Sequence, residues 1–189
     1  MKKVSKNTRP VRDREGSQRV FISNGIKHTE EIAQNFLKCL LIKKNKNACV
    51  VGLSGDLGAG KTAFTQAVAK NLGIKKRVNS PTFVIMKRYE LSKKKSYKNF
   101  LADKTKPVPA GENFYNFSFF EQFYHLDAYR LKNEKELIHL GWKDIISNPE
   151  NLVFVEWPEN IIKSMPKKHH KVSIFHIKEG HRSFKIKNI

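Results

Sequence analysis

Eight consecutive residues carry the plainest chemistry in this chain. Gly55, Asp56, Leu57, Gly58, Ala59, Gly60, Lys61 and Thr62 fit G-x-x-x-x-G-K-[ST], the pattern of a phosphate-cradling P-loop. Its glycines let backbone N–H groups turn toward phosphate oxygens, and the helix behind it adds the positive end of its dipole. In such a loop Lys61 reaches the outer phosphates and the Thr62 hydroxyl binds Mg²⁺. Ala63, next in the chain, belongs to the same nucleotide-binding stretch. A P-loop alone only binds nucleotide. Hydrolysis also needs a carboxylate to help hold Mg²⁺ and a group to position the attacking water. Two acids, Asp127 and Glu156, end short apolar runs. Ligands of open α/β sheets lie at the carboxyl ends of strands, so both acids are expected to converge on Lys61 and Thr62. Glu156 ends the more apolar run and resembles a Walker-B position, which makes it the candidate Mg²⁺ ligand beside Thr62. Asp127 is the candidate for aligning water or completing the metal shell. Lys61, Asp127 and Glu156 are therefore the expected catalytic set. His125 is read as a packing or hydrogen-bonding residue.

The elements around these residues must place them. Residues 48–53 form a mostly apolar run of the kind a buried strand shows, and 63–72 read as a helix closed by Gly73. Strand, loop and helix are the context that a P-loop demands. Residues 18–23 look like an earlier strand. Residues 29–37 start a helix with apolar positions 32, 33, 36, 37, 40 and 41 on one face, and of His28 and Thr29 the second is the better N-cap candidate. Residues 79–83 form a turn into a strand over 83–89. Residues 92–113, rich in Lys with Pro107 and Pro109, break the pattern and are expected as an inserted, exposed loop. The aromatic stretch 114–120 either anchors that loop or extends the next strand. Asn133 is expected to cap a helix over 134–140, which Gly141 stops, and 142–146 form a second helical piece. Residues 172–177 and 183–187 alternate around Gly180 as a hairpin. The sum is an α/β P-loop fold. A central mixed, mostly parallel sheet is flanked by helices, with an antiparallel C-terminal edge. One domain over 18–189 follows a basic tail, 1–17, that is expected to be disordered.

A chain of 189 residues suits one domain with a substantial core. No apolar run nears the roughly 20 residues of a membrane span. Residues 1–6 are basic and lack the apolar stretch of a secretory signal. Cys39 and Cys49 lack metal-ligand spacing and read as reduced core thiols, which suits a cytoplasmic protein. The net charge of +20 is compatible with a polyanionic partner such as RNA. A composition rich in Lys, Asn and Ile would also give that charge as ordinary solvated surface.

Taken in order, the motifs resemble the TsaE (YjeE) family. They are a helix beginning at Thr29, GDLGAGKT at 55–62, NSPTF at 79–83, YHLDAYRL at 124–131, ELIHLGWKDII at 136–146 and VFVEWPENI at 153–161. The P-loop is common to many families, whereas the ordered set is specific. The resemblance spans about residues 18–187. It implies a small ATPase of the bacterial pathway that makes threonylcarbamoyladenosine in tRNA. It further implies ATP phosphates on residues 58–62, Mg²⁺ on Thr62 and Glu156, and Asp127 beside the γ-phosphate and attacking water. Thr82 would lie on a nucleotide-sensing loop, Trp157 would support the site, and Thr29 would lie toward the adenine or sugar. Arg182 would match a C-terminal arginine near the nucleotide. The implied partner is the TsaB–TsaD heterodimer, whose TsaD carries the transferase site. The tail and the 92–113 insertion depart from the family pattern. Two rivals share parts of these features. A small-molecule or nucleoside kinase would use Asp127 as base, but residues 92–113 hold no Arg for a phosphate lid. A basic nucleic-acid-binding protein with a degenerate P-loop would not need Lys61, Thr62 and both acids.

Overall fold

The computed structural model describes residues 11–12, 18–41, 46–76, 78–81, 84–91, 120–131 and 134–187. Eight strands form one sheet: β1 (Val11–Arg12), β2 (Gln18–Ser23), β3 (Cys49–Ser54), β4 (Met86–Glu90), β5 (Gln122–Asp127), β6 (Asn151–Glu156), β7 (His170–Lys178) and β8 (His181–Lys187). Their order across the sheet is β1-β2-β8-β7-β3-β6-β5-β4. The centre, β7-β3-β6-β5, is parallel throughout. β4 adds antiparallel to β5 on one side. The β7–β8 hairpin begins the antiparallel side, which β2 and β1 extend. Parallel strands buried on both faces need continuous apolar sequence, and all six residues of β6 are buried.

Two layers cover the sheet. On one face lie α1 (Ile26–Leu41) and α2 (Lys61–Asn71). Phe36, Phe64, Phe123, Phe154 and Phe184 meet beneath them, with ring centroids 5.4–6.5 Å apart in the pairs that touch. Burying each such side chain contributes about 1.5–3 kcal/mol. On the other face, α3 (Glu136–His139), α4 (Trp142–Ser147) and a 3₁₀ turn (Pro158–Ile161) cover Val50, Tyr124, Leu126, Val153 and Val155. The Trp142 indole N–H donates to the Ser164 carbonyl at 2.9 Å and ties that layer together.

Several boundaries differ from the sequence reading. α1 begins at Ile26, so Thr29 lies inside its first turn and is not the N-cap. The Thr29 hydroxyl pairs with Ser23 Oγ at 2.9 Å and fastens the turn to β2. β4 begins at Met86, because Ile85 takes φ 63° and the Val84 N–H donates to the Pro81 carbonyl at 2.8 Å. The first short helix covers only Glu136–His139, and Gly141, at φ 67°, opens the next one. Val11–Arg12 pair with β2, so sheet structure reaches into the segment expected as a tail. The rest of 1–17, residues 92–119 and Asn133 lie outside the described residues. Cys39 and Cys49 are both free thiols.

Candidate nucleotide site

The loop between β3 and α2 takes a shape that side chains would obstruct. Gly55 has φ 140°, and a Cβ there would run into the Ile174 carbonyl oxygen. Gly60 sits at the start of α2 with φ 109° and ψ 20°, beside the Arg182 side chain. Both angles belong to the region that glycine adopts freely. Arg182 reaches over from β8, and its Nε donates to the Ala59 carbonyl at 2.9 Å. The C-terminal hairpin thus braces the loop from behind.

Lys61 is buried and folds back on its own loop. Its Nζ donates to the carbonyls of Gly55 at 2.7 Å and Asp56 at 2.9 Å. It also stands 3.8 Å from the centroid of the Trp157 ring, a cation–π position. Desolvation lowers its pKa, while the nearby Glu156, Glu159, Asp127 and Asp56 oppose that shift. Trp157 takes φ 59°, which is rare for a bulky residue and marks a site where surrounding structure enforces the backbone. Its N–H donates to the Leu53 carbonyl, and its ring packs on Tyr129 with centroids 5.1 Å apart.

The two acids stand side by side. Asp127 and Glu156 are register partners at the ends of β5 and β6. Glu156 Oε2 accepts the Thr62 hydroxyl at 3.0 Å, and Oε1 pairs with His125 Nε2 at 2.8 Å. His125 is fully buried, two residues before Asp127 on the same strand. Asp127 Oδ2 accepts the Ser80 hydroxyl at 2.7 Å, and Oδ1 accepts the Tyr129 N–H at 3.0 Å.

One cavity of about 420 Å³ collects Leu57, Gly58, Gly60, Lys61, Thr62, Asp127, Glu156 and Trp157, together with Ser80, Tyr129 and Arg130. A second, of about 310 Å³, lies on the other side of Gly60 and is lined by Thr29, Ala63 and Arg182 among others. Gly55, Asp56 and Ala59 contribute carbonyls that receive Lys61 and Arg182. Thr82 lies outside the described residues. Sequence reasoning missed Ser80 and Tyr129 as partners of Asp127; it read His125 as a packing or hydrogen-bonding residue, and the structure gives it Glu156 as its partner. The alternation of a strand gave the one available signal, since it places His125 on the face of Asp127.

The donor set fits a hard cation with phosphate. Thr62 and Glu156 offer oxygen ligands, and Mg²⁺ characteristically takes one or two protein oxygens and completes its shell with phosphates and water. Among the described residues, no cluster of three or more His, Cys, Asp or Glu forms a closed protein cage.

Comparison with known proteins finds a family match. Residues 23–101 and 112–184 match the family model described as "Threonylcarbamoyl adenosine biosynthesis protein TsaE". The unmatched 102–111 falls within the stretch expected as an insertion. The tRNA threonylcarbamoyladenosine biosynthesis protein TsaE of Bacillus subtilis is 34% identical over 125 residues, 66% of this chain and 60% of that protein. The Haemophilus influenzae protein of the same name is 29% identical over 126 residues, covering 67% and 62%. That of Rickettsia felis is 31% identical over 147 residues, covering 77% and 66%. The chain thus aligns with less than two thirds of the length of these three relatives. The crystal structure of Bacillus subtilis YdiB aligns over 89% of this chain and 84% of its own, with a TM-score of 0.54 and 24% identity. That likeness concerns the fold. Among the described residues, no helix is long and apolar enough to cross a membrane.

Proposed function

This chain belongs to the TsaE family, and we propose that it is a Mg²⁺-dependent ATPase that supports tRNA threonylcarbamoyladenosine modification by acting on a TsaB–TsaD pair. The observation that carries the reading is the Thr62 hydroxyl on Glu156 at 3.0 Å, at the mouth of the P-loop, with Asp127 as the register partner of that carboxylate. This juxtaposition supports a site that would handle Mg²⁺-bound nucleotide rather than a loop that merely binds phosphate.

In this reading the backbone of residues 58–62 binds the phosphates, and Lys61 exchanges its carbonyl partners for phosphate oxygens. Thr62 and Glu156 hold the cation. Bound Mg²⁺ and ATP would supply the γ-phosphoryl group and neutralise the charge that develops on it. Asp127, held by the Ser80 hydroxyl and the Tyr129 N–H, would orient the attacking water. Trp157 shields Lys61 from solvent. Thr29, Ala63 and Arg182 line the second cavity, which would take the nucleoside. Thr82 would contribute from the loop after Ser80. A cytoplasmic location is proposed with this role.

The test is ATP turnover by the full chain, alone and with its TsaB–TsaD pair. Turnover that is slow alone and strongly stimulated by the pair is the expected result. Transfer of the γ-phosphate to a small acceptor would instead establish a kinase. Absence of nucleotide binding would leave only a P-loop remnant.

A further inference from the structure

The two faces of the sheet are covered unequally. α1 and α2 pack on Phe21, Val172, Ile174, Phe184 and Ile186 of the antiparallel side. On the opposite face, the layer of α3, α4 and the 3₁₀ turn buries residues of β3, β5 and β6, and its cluster includes none from β2, β7 or β8. Half of that face is therefore open among the described residues. Register places its side chains in three lateral rows: Gln18, Lys187 and Lys171; Val20, Lys185 and Ser173; Ile22, Ser183 and Phe175.

We propose that this open half-sheet is a docking surface for single-stranded RNA, with Phe175 as the stacking platform and Lys171, Lys185 and Lys187 as phosphate contacts. Among the described residues, Phe175 and Ile22 are 43% and 51% exposed. Lys185 Nζ already lies 5.0 Å from the Phe175 ring centroid, so cation and aromatic face are adjacent. The three rows hold three lysines and no carboxylate. Beside the second row, Ser54 of β3, the register partner of Ser173, donates to the Glu159 carboxylate, and Glu179 lies in the turn between β7 and β8. Rows on one face repeat about every 7 Å along the strands, and neighbouring strands lie about 4.8 Å apart. A base on Phe175 thus leaves the chain's next phosphates over Lys185 and then Lys187 and Lys171. Sequence-tolerant binding of single strands combines these same two parts, an aromatic face and a basic track. A protein partner would favour an apolar centre with a mixed-charge rim, whereas here charge of one sign occupies two of the three rows.

The proposal takes the identity of the natural RNA from the function proposed above, but the binding itself does not depend on ATP hydrolysis. The experiment therefore uses the full chain without nucleotide or partner proteins. A labelled, unstructured oligoribonucleotide is titrated at several salt concentrations. Phe175→Ala is expected to weaken binding about tenfold. Combining Lys171→Gln, Lys185→Gln and Lys187→Gln is expected to reduce the slope of log K against log salt by about 2. ATP affinity of each variant checks that the fold is intact, since none of these residues lines the nucleotide cavities. Unchanged RNA affinity and salt slope in both variants would overturn the proposal. So would equal binding of a duplex that is indifferent to Phe175→Ala. In a separate pull-down with the TsaB–TsaD pair, variants that lose the pair while keeping RNA binding would also overturn it, and would make the face a protein interface.

Discussion

The carboxyl ends of β6 and β5 lie next to each other, yet their two acids are held by different kinds of structure. Glu156 is gripped by a buried histidine from the neighbouring strand and by a hydroxyl from the first turn of α2. Both belong to the scaffold that the phenylalanine core fixes. Asp127 is gripped by Ser80 and by the Tyr129 N–H, which belong to the segments following residue 78 and residue 127. The difference teaches a division of labour. The Glu156 geometry is set before any ligand arrives, as a cation site requires. The Asp127 geometry depends on Ser80 and Tyr129, which themselves line the cavity.

Breaking the rigid half of this comparison should cost most. Glu156→Ala removes a proposed cation ligand and leaves His125 buried with neither ring nitrogen paired, since its Nδ1 already lacks a partner. ATP turnover in the assembled complex is expected to fall by about 10³-fold. Stability is expected to drop by about 1–3 kcal/mol from the orphaned group. Calorimetric ATP titration with and without Mg²⁺, together with thermal unfolding, reads both effects. ATP affinity that still depends fully on Mg²⁺ would remove Glu156 from the cation site. Breaking the other half should look different. Asp127→Ala is expected to keep ATP bound while turnover falls by about 10²-fold. Wild-type turnover in the complex would refute the role given to Asp127.

His125→Ala tests why Glu156 is rigid. It frees Oε1 of that carboxylate without touching the nucleotide cavity, so the expected change is a higher Mg²⁺ requirement with little change in turnover at saturating Mg²⁺. His125→Gln, which can still donate to Oε1, should recover part of the loss. A merely structural histidine would lower the unfolding temperature and leave the Mg²⁺ dependence where it was.

How much of this was readable before the fold was known follows the same division. The P-loop was legible because its function lies in local spacing, and the loop needs glycine at Gly55 and Gly60 for reasons of backbone geometry. β3, β6 and the β7–β8 hairpin were legible because apolar runs and alternation report burial directly. The two acids were legible as strand ends. Their partners were not. Nothing in the chain text says that His125 lies diagonal to Glu156, because that relation exists only once β5 and β6 pair in parallel register. The same holds for Trp157 and Ile85. An apolar or aromatic residue reads as strand or core, while here both take left-handed backbone at turns that tertiary contacts enforce. Thr29 misled for a related reason. Its chemistry suits an N-cap, but its hydroxyl serves β2 through Ser23. The open half-sheet was invisible as well, since alternation shows which side of a strand is polar but not whether a helix covers it.

The smallest expected effect falls on the loop side, and it is the most informative about the comparison. Ser80→Ala deletes one hydroxyl that donates to Asp127 and leaves the Tyr129 N–H in place. A single hydrogen bond of this type contributes about 0.5–1.5 kcal/mol net, or about 1.5–3 kcal/mol to a charged group. If Ser80 only stabilises the fold, the loss appears in thermal unfolding and turnover is unchanged. If Ser80 orients Asp127, the loss appears in turnover, by about tenfold, while ATP affinity and its Mg²⁺ dependence stay at wild-type values. Measuring unfolding and turnover on the same preparation separates the two. A variant that loses Mg²⁺ dependence instead would show that the loop and the scaffold are coupled, and that the acids do not act as separately as their holders suggest.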